Sequence, residues 1–216
     1  MFNVKELLEE LKASPYELID ITAPHTGTVE FVLKEPGATV QGPHGTYREK
    51  PGTLIATLER EKNKKPIRAS LNGVLESVET AVAGRFVEAG TKLATIRHYL
   101  TSKEVIDLIL KKALHLFVAP ERAKYYFLPD IDKKMRASGK NAVEVRPGME
   151  LFIMSRMKRE TVLPYNGPEG KIYAVYFKLG ENVESGQPLI GVCPGEQLPL
   201  IQDVVNRVRS EWEEQG

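Results

Sequence analysis

Ser155-Arg156-Met157-Lys158-Arg159-Glu160-Thr161 decides how this chain is read. It has an echo about 96 residues earlier, in Glu59-Arg60-Glu61-Lys62-Asn63-Lys64-Lys65. In each stretch a lysine stands between two β-type segments that resemble one another. The simplest geometry is a lysine at the tip of a β-turn joining two like halves, held away from the core.

Outward from Lys62, the residues between 16 and 100 break into short β-type runs punctuated by glycine and proline. The runs are Leu18 to Ala23, Thr28 to Leu33, Thr53 to Leu58, Ile67 to Ala69, Val74 to Val78 and Lys92 to Ile96. Short, evenly spaced runs with glycine turns predict a sandwich or barrel. The block also repeats within itself. Ile21-Thr22-Ala23 through Val29 matches Ile67-Arg68-Ala69 through Leu75, Gly37 to Val40 matches Gly84 to Val87, and Gly52 to Leu58 matches Gly90 to Ile96. Two like halves, each too small to bury its apolar face alone, are expected to pack together. An extra loop, Gln41 to Pro51, interrupts the first half.

The whole block then returns. Ala23-Pro24 recurs as Ala119-Pro120, Pro51-Gly52 as Pro147-Gly148, and Lys62 as Lys158. Gly84-x-x-Val87-x-x-Gly90 recurs as Gly180-x-x-Val183-x-x-Gly186. This is the pattern of a duplicated domain. The second copy departs most at its start, where Glu121-Arg122-Ala123 replaces His25-Thr26-Gly27 and residues 130 to 141 are polar and basic.

Three helices flank the β blocks. Val4, Leu7, Leu8 and Leu11 recur at helical spacing and predict a helix over Val4 to Ala13, stopped by Ser14-Pro15. A second helix is expected from Thr101 to Leu116, with Val105, Ile106, Ile109, Leu110 and Ala113 on one face; its place is at the end of the first barrel. The third runs from Gln197 to Glu214, with Ile201, Val204, Val205, Val208 and Trp212 on one face.

The chain's 216 residues carry 30 basic and 29 acidic side chains. That balance argues against a nucleic-acid footprint. One cysteine, Cys193, excludes an internal disulfide and reads as a buried thiol. The N-terminus has no apolar signal core. The most apolar run, Val105 to Val118, is broken by Asp107, Lys111, Lys112 and His115 and cannot cross a bilayer. A cytoplasmic protein is expected. The histidines, His25, His44, His98 and His115, have no metal-ligand spacing. Met154 and Met157 read as core and rim packing, and glycines 37, 52, 84, 90, 148, 180 and 186 as turn residues. No P-loop, H-E-x-x-H or G-x-S-x-G motif is present.

These residues resemble the biotinyl/lipoyl-carrier family, the barrel-sandwich hybrid. The resemblance lies in Met157-Lys158-Arg159-Glu160, in Pro66-Ile67-Arg68-Ala69 with Gly73-Val74-Leu75, and in Gly180 to Leu189, over residues 21–96 and 118–192. It implies a mainly β chain of two tandem barrel-sandwich hybrid domains with flanking α-helices. The expected limits are 1–15 for the N-terminal helix, 16–100 for the first barrel, 101–116 for a linker helix, 117–195 for the second barrel and 196–216 for the C-terminal helix. It further implies covalent biotin on Lys158, with Lys62 a second or relic site, and the Gln41 to Pro51 loop as a thumb beside the cofactor. The partners implied are a biotin protein ligase and carboxylase or transcarboxylase subunits; the chain itself would be a carrier and not an enzyme. The turns depart from the biotinyl pattern. Lys62 has no flanking methionine, its Glu59 and Glu61 look more lipoyl-like, and Lys158 is followed by Arg159. Lipoate carriage and an unmodified double-barrel scaffold therefore stand as alternatives.

Overall fold

The computed structural model describes residues 4–212, and these divide into two compact units. The N-terminal module is Leu11–Thr101; the C-terminal module is Ser102–Trp212 together with residues 4–10. Residues 1–3 and 213–216, included in the helical ends expected above, lie outside the described residues.

The N-terminal module is built from eight strands. They are β1 (Tyr16–Thr22), β2 (Gly27–Phe31), β3 (Thr39–Val40), β4 (Leu54–Arg60), β5 (Asn63–Arg68), β6 (Gly73–Val78), β7 (Phe86–Val87) and β8 (Lys92–Tyr99). They form two antiparallel sheets, ordered β1-β8-β6-β3 and β5-β4-β2-β7. Moving each strand on by four, with β5 to β8 returning to β1 to β4, turns one order into the other. The halves therefore interlock: each sheet takes strands from both. The register shift between Leu54 and Ala56 breaks the alternation of β4, so Ile55 is buried as well as Ala56 and Leu58. Ile55 and Leu58 join a core with Val29 and Val40 from the first half and Leu75, Leu93 and Ile96 from the second. Each such aliphatic side chain contributes about 1.5–3 kcal/mol when fully buried.

The C-terminal module repeats this order. Its strands are β9 (His115–Val118), β10 (Ala123–Phe127), β11 (Glu144–Val145), β12 (Glu150–Arg156), β13 (Arg159–Pro164), β14 (Gly170–Val175), β15 (Asn182–Val183) and β16 (Pro188–Cys193), in sheets β9-β16-β14-β11 and β13-β12-β10-β15. The irregularities recur with the order. Register shifts fall at Leu54/Ala56 and Leu75/Ser77 in the first module, and at Glu150/Phe152 and Ile172/Ala174 in the second. Bulges bend and twist a strand, so their positions shape a sheet. The chain is mainly β.

The cores differ in size. Ala56 is replaced by Phe152, Ala69 by Tyr165, Val29 by Tyr125 and Ile21 by Phe117, all buried. Phe152 sits among Phe117, Phe127 and Phe177, with ring centroids 5.8, 4.9 and 5.8 Å away. The larger core is closed by a helix that the sequence reading missed, α3 (Pro129–Ser138), which follows β10 along the chain and adds Ile131 and Met135. It occupies the polar, basic stretch.

The other helices are α1 (Val4–Ala13), α2 (Ser102–Ala113) and α4 (Leu198–Glu211). Leu7 and Leu8 of α1 are buried. The expected placement of α2 is corrected in two respects. It groups with the C-terminal module, where Leu110 clusters with Ile201 and Val205 of α4 and with Ala174 and Cys193. It also ends before Leu116, because residues from His115 onward pair with β16 instead. With helices on one face and the core on the other, β16 is buried from Leu189 to Cys193, which explains its unbroken apolar sequence. Burial also raises the Cys193 thiol above its ordinary pKa.

Two outcomes are expected. Phe152→Ala opens a cavity and destabilises the C-terminal module by about 3–5 kcal/mol, read as a fall in its thermal unfolding midpoint. Cys193 reacts with a thiol reagent at neutral pH only on the timescale of unfolding, and rapidly in denaturant.

Candidate functional site

The two lysine stretches are hairpins. Arg60 pairs with Asn63 across the β4–β5 link, leaving Glu61 and Lys62 as its two turn residues. Arg156 pairs with Arg159 across β12–β13, leaving Met157 and Lys158. In the first turn φ is 52° at Glu61 and 65° at Lys62; in the second it is 49° at Met157 and 62° at Lys158. Positive φ at both residues is the signature of the type I′ turn, whose twist matches that of the flanking strands. Such turns favour Asn-Gly. Neither turn has Asn or Gly at its two central positions, and each left-handed non-glycine residue costs on the order of 1 kcal/mol. Among the described residues, these four share positive φ with a single other non-glycine residue, Arg48.

Both lysines are exposed. The internal exchange of halves also fixes where they stand. Strand pair β4–β5 ends in the lysine turn; its counterpart, β8–β1, ends at Tyr99 and Tyr16, where the chain leaves and enters. The turn is thus a closed tip at the position that is open in the other half. The charged stretch around Lys62 is an ordered hairpin. Lys64 bridges Glu30 at 2.9 Å and Glu59 at 3.4 Å, and its hydrogen bond to Glu30 raises its pKa.

The arginine two before each lysine ties the hairpin stem to the loop that precedes the second strand of its module. Arg60 Nη1 donates to Thr26 Oγ1 at 3.1 Å, and its Nε lies 3.6 Å from Glu61. Arg156 Nη1 donates to Glu121 Oε2. That loop is held from beneath: buried Tyr125 donates its hydroxyl to the Glu121 carbonyl at 2.6 Å, and Ser185 donates to the Pro120 carbonyl at 3.0 Å. Burial raises the Tyr125 pKa, so its hydroxyl keeps the proton it donates. Sequence reading did not single out Arg60, Arg156 or Glu121. The signal was there: arginine and lysine are the two residues that the stretches share at equivalent places.

Other expectations are revised. The Gln41 to Pro51 loop is anchored at the foot of the hairpin, not beside Lys62. Gln41 N donates to Thr53 Oγ1 and Gly42 N to Asn72 Oδ1, both at 2.9 Å. Thr53 is separated from the lysine turn by the full length of β4, more than about 20 Å at 3.3 Å per residue. Met154 packs against the core, but Met157 is 85% exposed. Gly52 does not have a positive φ; a Cβ there would collide with the Ala69 carbonyl. Among the described residues no group of three His, Cys, Asp or Glu side chains is placed to hold a metal ion, and no helix is long and apolar enough to cross a membrane.

No protein-family model matches the chain, and no curated protein matches it. Among solved structures, a single-chain, multi-domain long-chain acyl-CoA carboxylase is similar at a TM-score of 0.31 and 21% identity, over 51% of this chain and 10% of that one. A likeness that slight has no bearing on function.

The strain in the turns is measurable. Replacing Met157-Lys158 by Asn-Gly is expected to raise the stability of the C-terminal module by about 1 kcal/mol. Chemical denaturation checks this; a loss of stability would mean that the side chains at 157 and 158 hold the hairpin together.

Proposed function

We propose that the chain is a biotin carboxyl carrier-like protein, made of two barrel-sandwich hybrid modules in tandem. It serves a biotin-dependent carboxylase, decarboxylase or transcarboxylase as a non-catalytic swinging-arm subunit. One observation carries this reading. In both modules an exposed lysine occupies the second place of a two-residue turn whose positive φ values suit neither residue. Stability does not favour a lysine there; a partner that must reach its amine does.

Lys158, preceded by exposed Met157, is the main attachment point, and Lys62 is a second site. A cytoplasmic biotin protein ligase presents biotin with its carboxyl group activated. The unprotonated Lys158 Nζ attacks that carbonyl carbon, the leaving group departs with the C–O bonding pair, and Nζ loses a proton. The product is a neutral amide on a long arm. Tethering raises the head's concentration at a partner's active site to the order of millimolar. The barrel breaks no bonds: the cofactor carries the group, and partner subunits do the chemistry.

A second reading, an unmodified scaffold or adaptor, draws on the Lys62 hairpin, where neighbouring charges are already engaged with one another. Intact mass of the protein from its own host separates the two. The expected result is a biotin adduct that disappears in Lys158→Ala. Unmodified protein from biotin-replete cells overturns the carrier reading. A lipoyl adduct on Lys62 redirects it to acyl or aminomethyl transfer.

A further inference from the structure

Each module has a shallow groove beside its lysine turn, and the two grooves are built from equivalent positions. In the C-terminal module the groove is about 460 Å³ and is lined by Glu121, Met154, Arg156, Met157, Arg159 and Thr161. In the N-terminal module it is about 440 Å³ and is lined by His25, Arg60, Glu61, Asn63 and Lys65. Stepping back 96 positions converts five of the first set into the whole of the second. The groove is therefore a feature of the module's architecture, formed between the hairpin and the loop that its arginine grips.

The linings have diverged in chemistry. The N-terminal groove offers an imidazole, a carboxylate, an amide, an amine and the engaged guanidinium of Arg60, and no apolar side chain. The C-terminal groove has two thioethers: Met154 is rooted in the core, and Met157 stands in solvent. It also has two guanidinium groups. Arg156 is neutralised by Glu121, whereas Arg159 meets no carboxylate among the described residues. Thioethers pack against irregular apolar surfaces without directional demands. A guanidinium with free N–H groups binds a carbonyl or carboxylate edge.

We propose that the groove beside Lys158 seats the head of the group carried on Lys158, a bicyclic ureido ring with an apolar face and an acceptor edge. The inference rests on the carrier reading above. The ring's apolar face lies on Met154 and Met157, and its ureido oxygen accepts from Arg159. The groove is lined by residues on both sides of Lys158, so a tethered head reaches it without moving the backbone. Docking there shelters the head between visits to partner sites and covers Met157. The Lys62 groove has no apolar wall and holds no such head.

Nε-biotinyl-lysine placed genetically at position 158 of the full chain tests this whether or not the native host attaches biotin. Nε-acetyl-lysine at 158 is the control that removes the charge without adding a head. With ¹³C-methyl methionine, the Met154 resonance is expected to shift in the biotinyl protein and not in the acetyl protein. Arg159→Gln is expected to reverse most of that shift, and to speed capture of the biotinyl protein by streptavidin severalfold. Biotinyl-lysine at position 62 is expected to leave Met154 unchanged. An unmoved Met154 methyl in the 158-biotinyl protein overturns the proposal, as does a shift that Arg159→Gln leaves intact. Unmodified native protein with a shifted Met154 in the installed form sinks the carrier reading and not the seat.

Discussion

A two-residue link between antiparallel strands must share their twist, and the type I′ turn that does so here puts positive φ on both of its residues. Glu61-Lys62 and Met157-Lys158 meet this demand without glycine or asparagine. Much else follows from it. The tight link fixes the pairing of β4 with β5 and of β12 with β13. That register sets which side chains face the core, because a one-residue slip would invert every strand face. It also places the arginine two before each lysine on the stem, within reach of the preceding loop, and so creates the groove.

The two modules keep the strand order and bulges while changing what fills and covers them. The N-terminal module expands between β3 and β4, in the loop whose outer part is closed by the His44–Lys50 bridge. The C-terminal module expands between β10 and β11, with α3. These insertions offset one another along the chain, so the lysine turns return to register. The aromatic core of the C-terminal module and α3 belong together: Phe152 and Tyr165 need more volume than Ala56 and Ala69, and Ile131 and Met135 close over them. Covering β16 with α2 and α4 is a further change, and it leaves Cys193 without access to solvent.

Much of this was legible in the residues, and the failures have physical causes. Short β-type runs and the recurring glycine spacing marked the mainly β character, as in Gly52 to Leu58 and Gly90 to Ile96. The outer parts of the lysine hairpin were harder to see. β5 is an edge strand that exposes five of its six residues, so Asn63-Lys64-Lys65 has the composition of a loop. α3 went unread because Ile131 is its one buried residue, too little for a periodic signal. The end of α2 was misjudged because Leu114, Leu116 and Phe117 continue an apolar run, and pairing with β16 decides the matter. The grooves join segments some 35 residues apart, Glu121 with Arg156, and no local pattern reports that.

The interchange of halves within a module has a consequence for how the chain could be threaded. Tyr16 and Tyr99 are paired neighbours, with ring centroids 6.2 Å apart, just as Arg60 and Asn63 are at the other hairpin. A short bridge could join the first two, and the chain could be cut at Glu61-Lys62. All eight strands would keep their partners in this circular permutant, and the new termini would emerge where the amine now stands. A fold that tolerates either arrangement treats its tip and its ends as the same kind of place, so its history could have begun with a four-stranded half-module joined to a copy of itself.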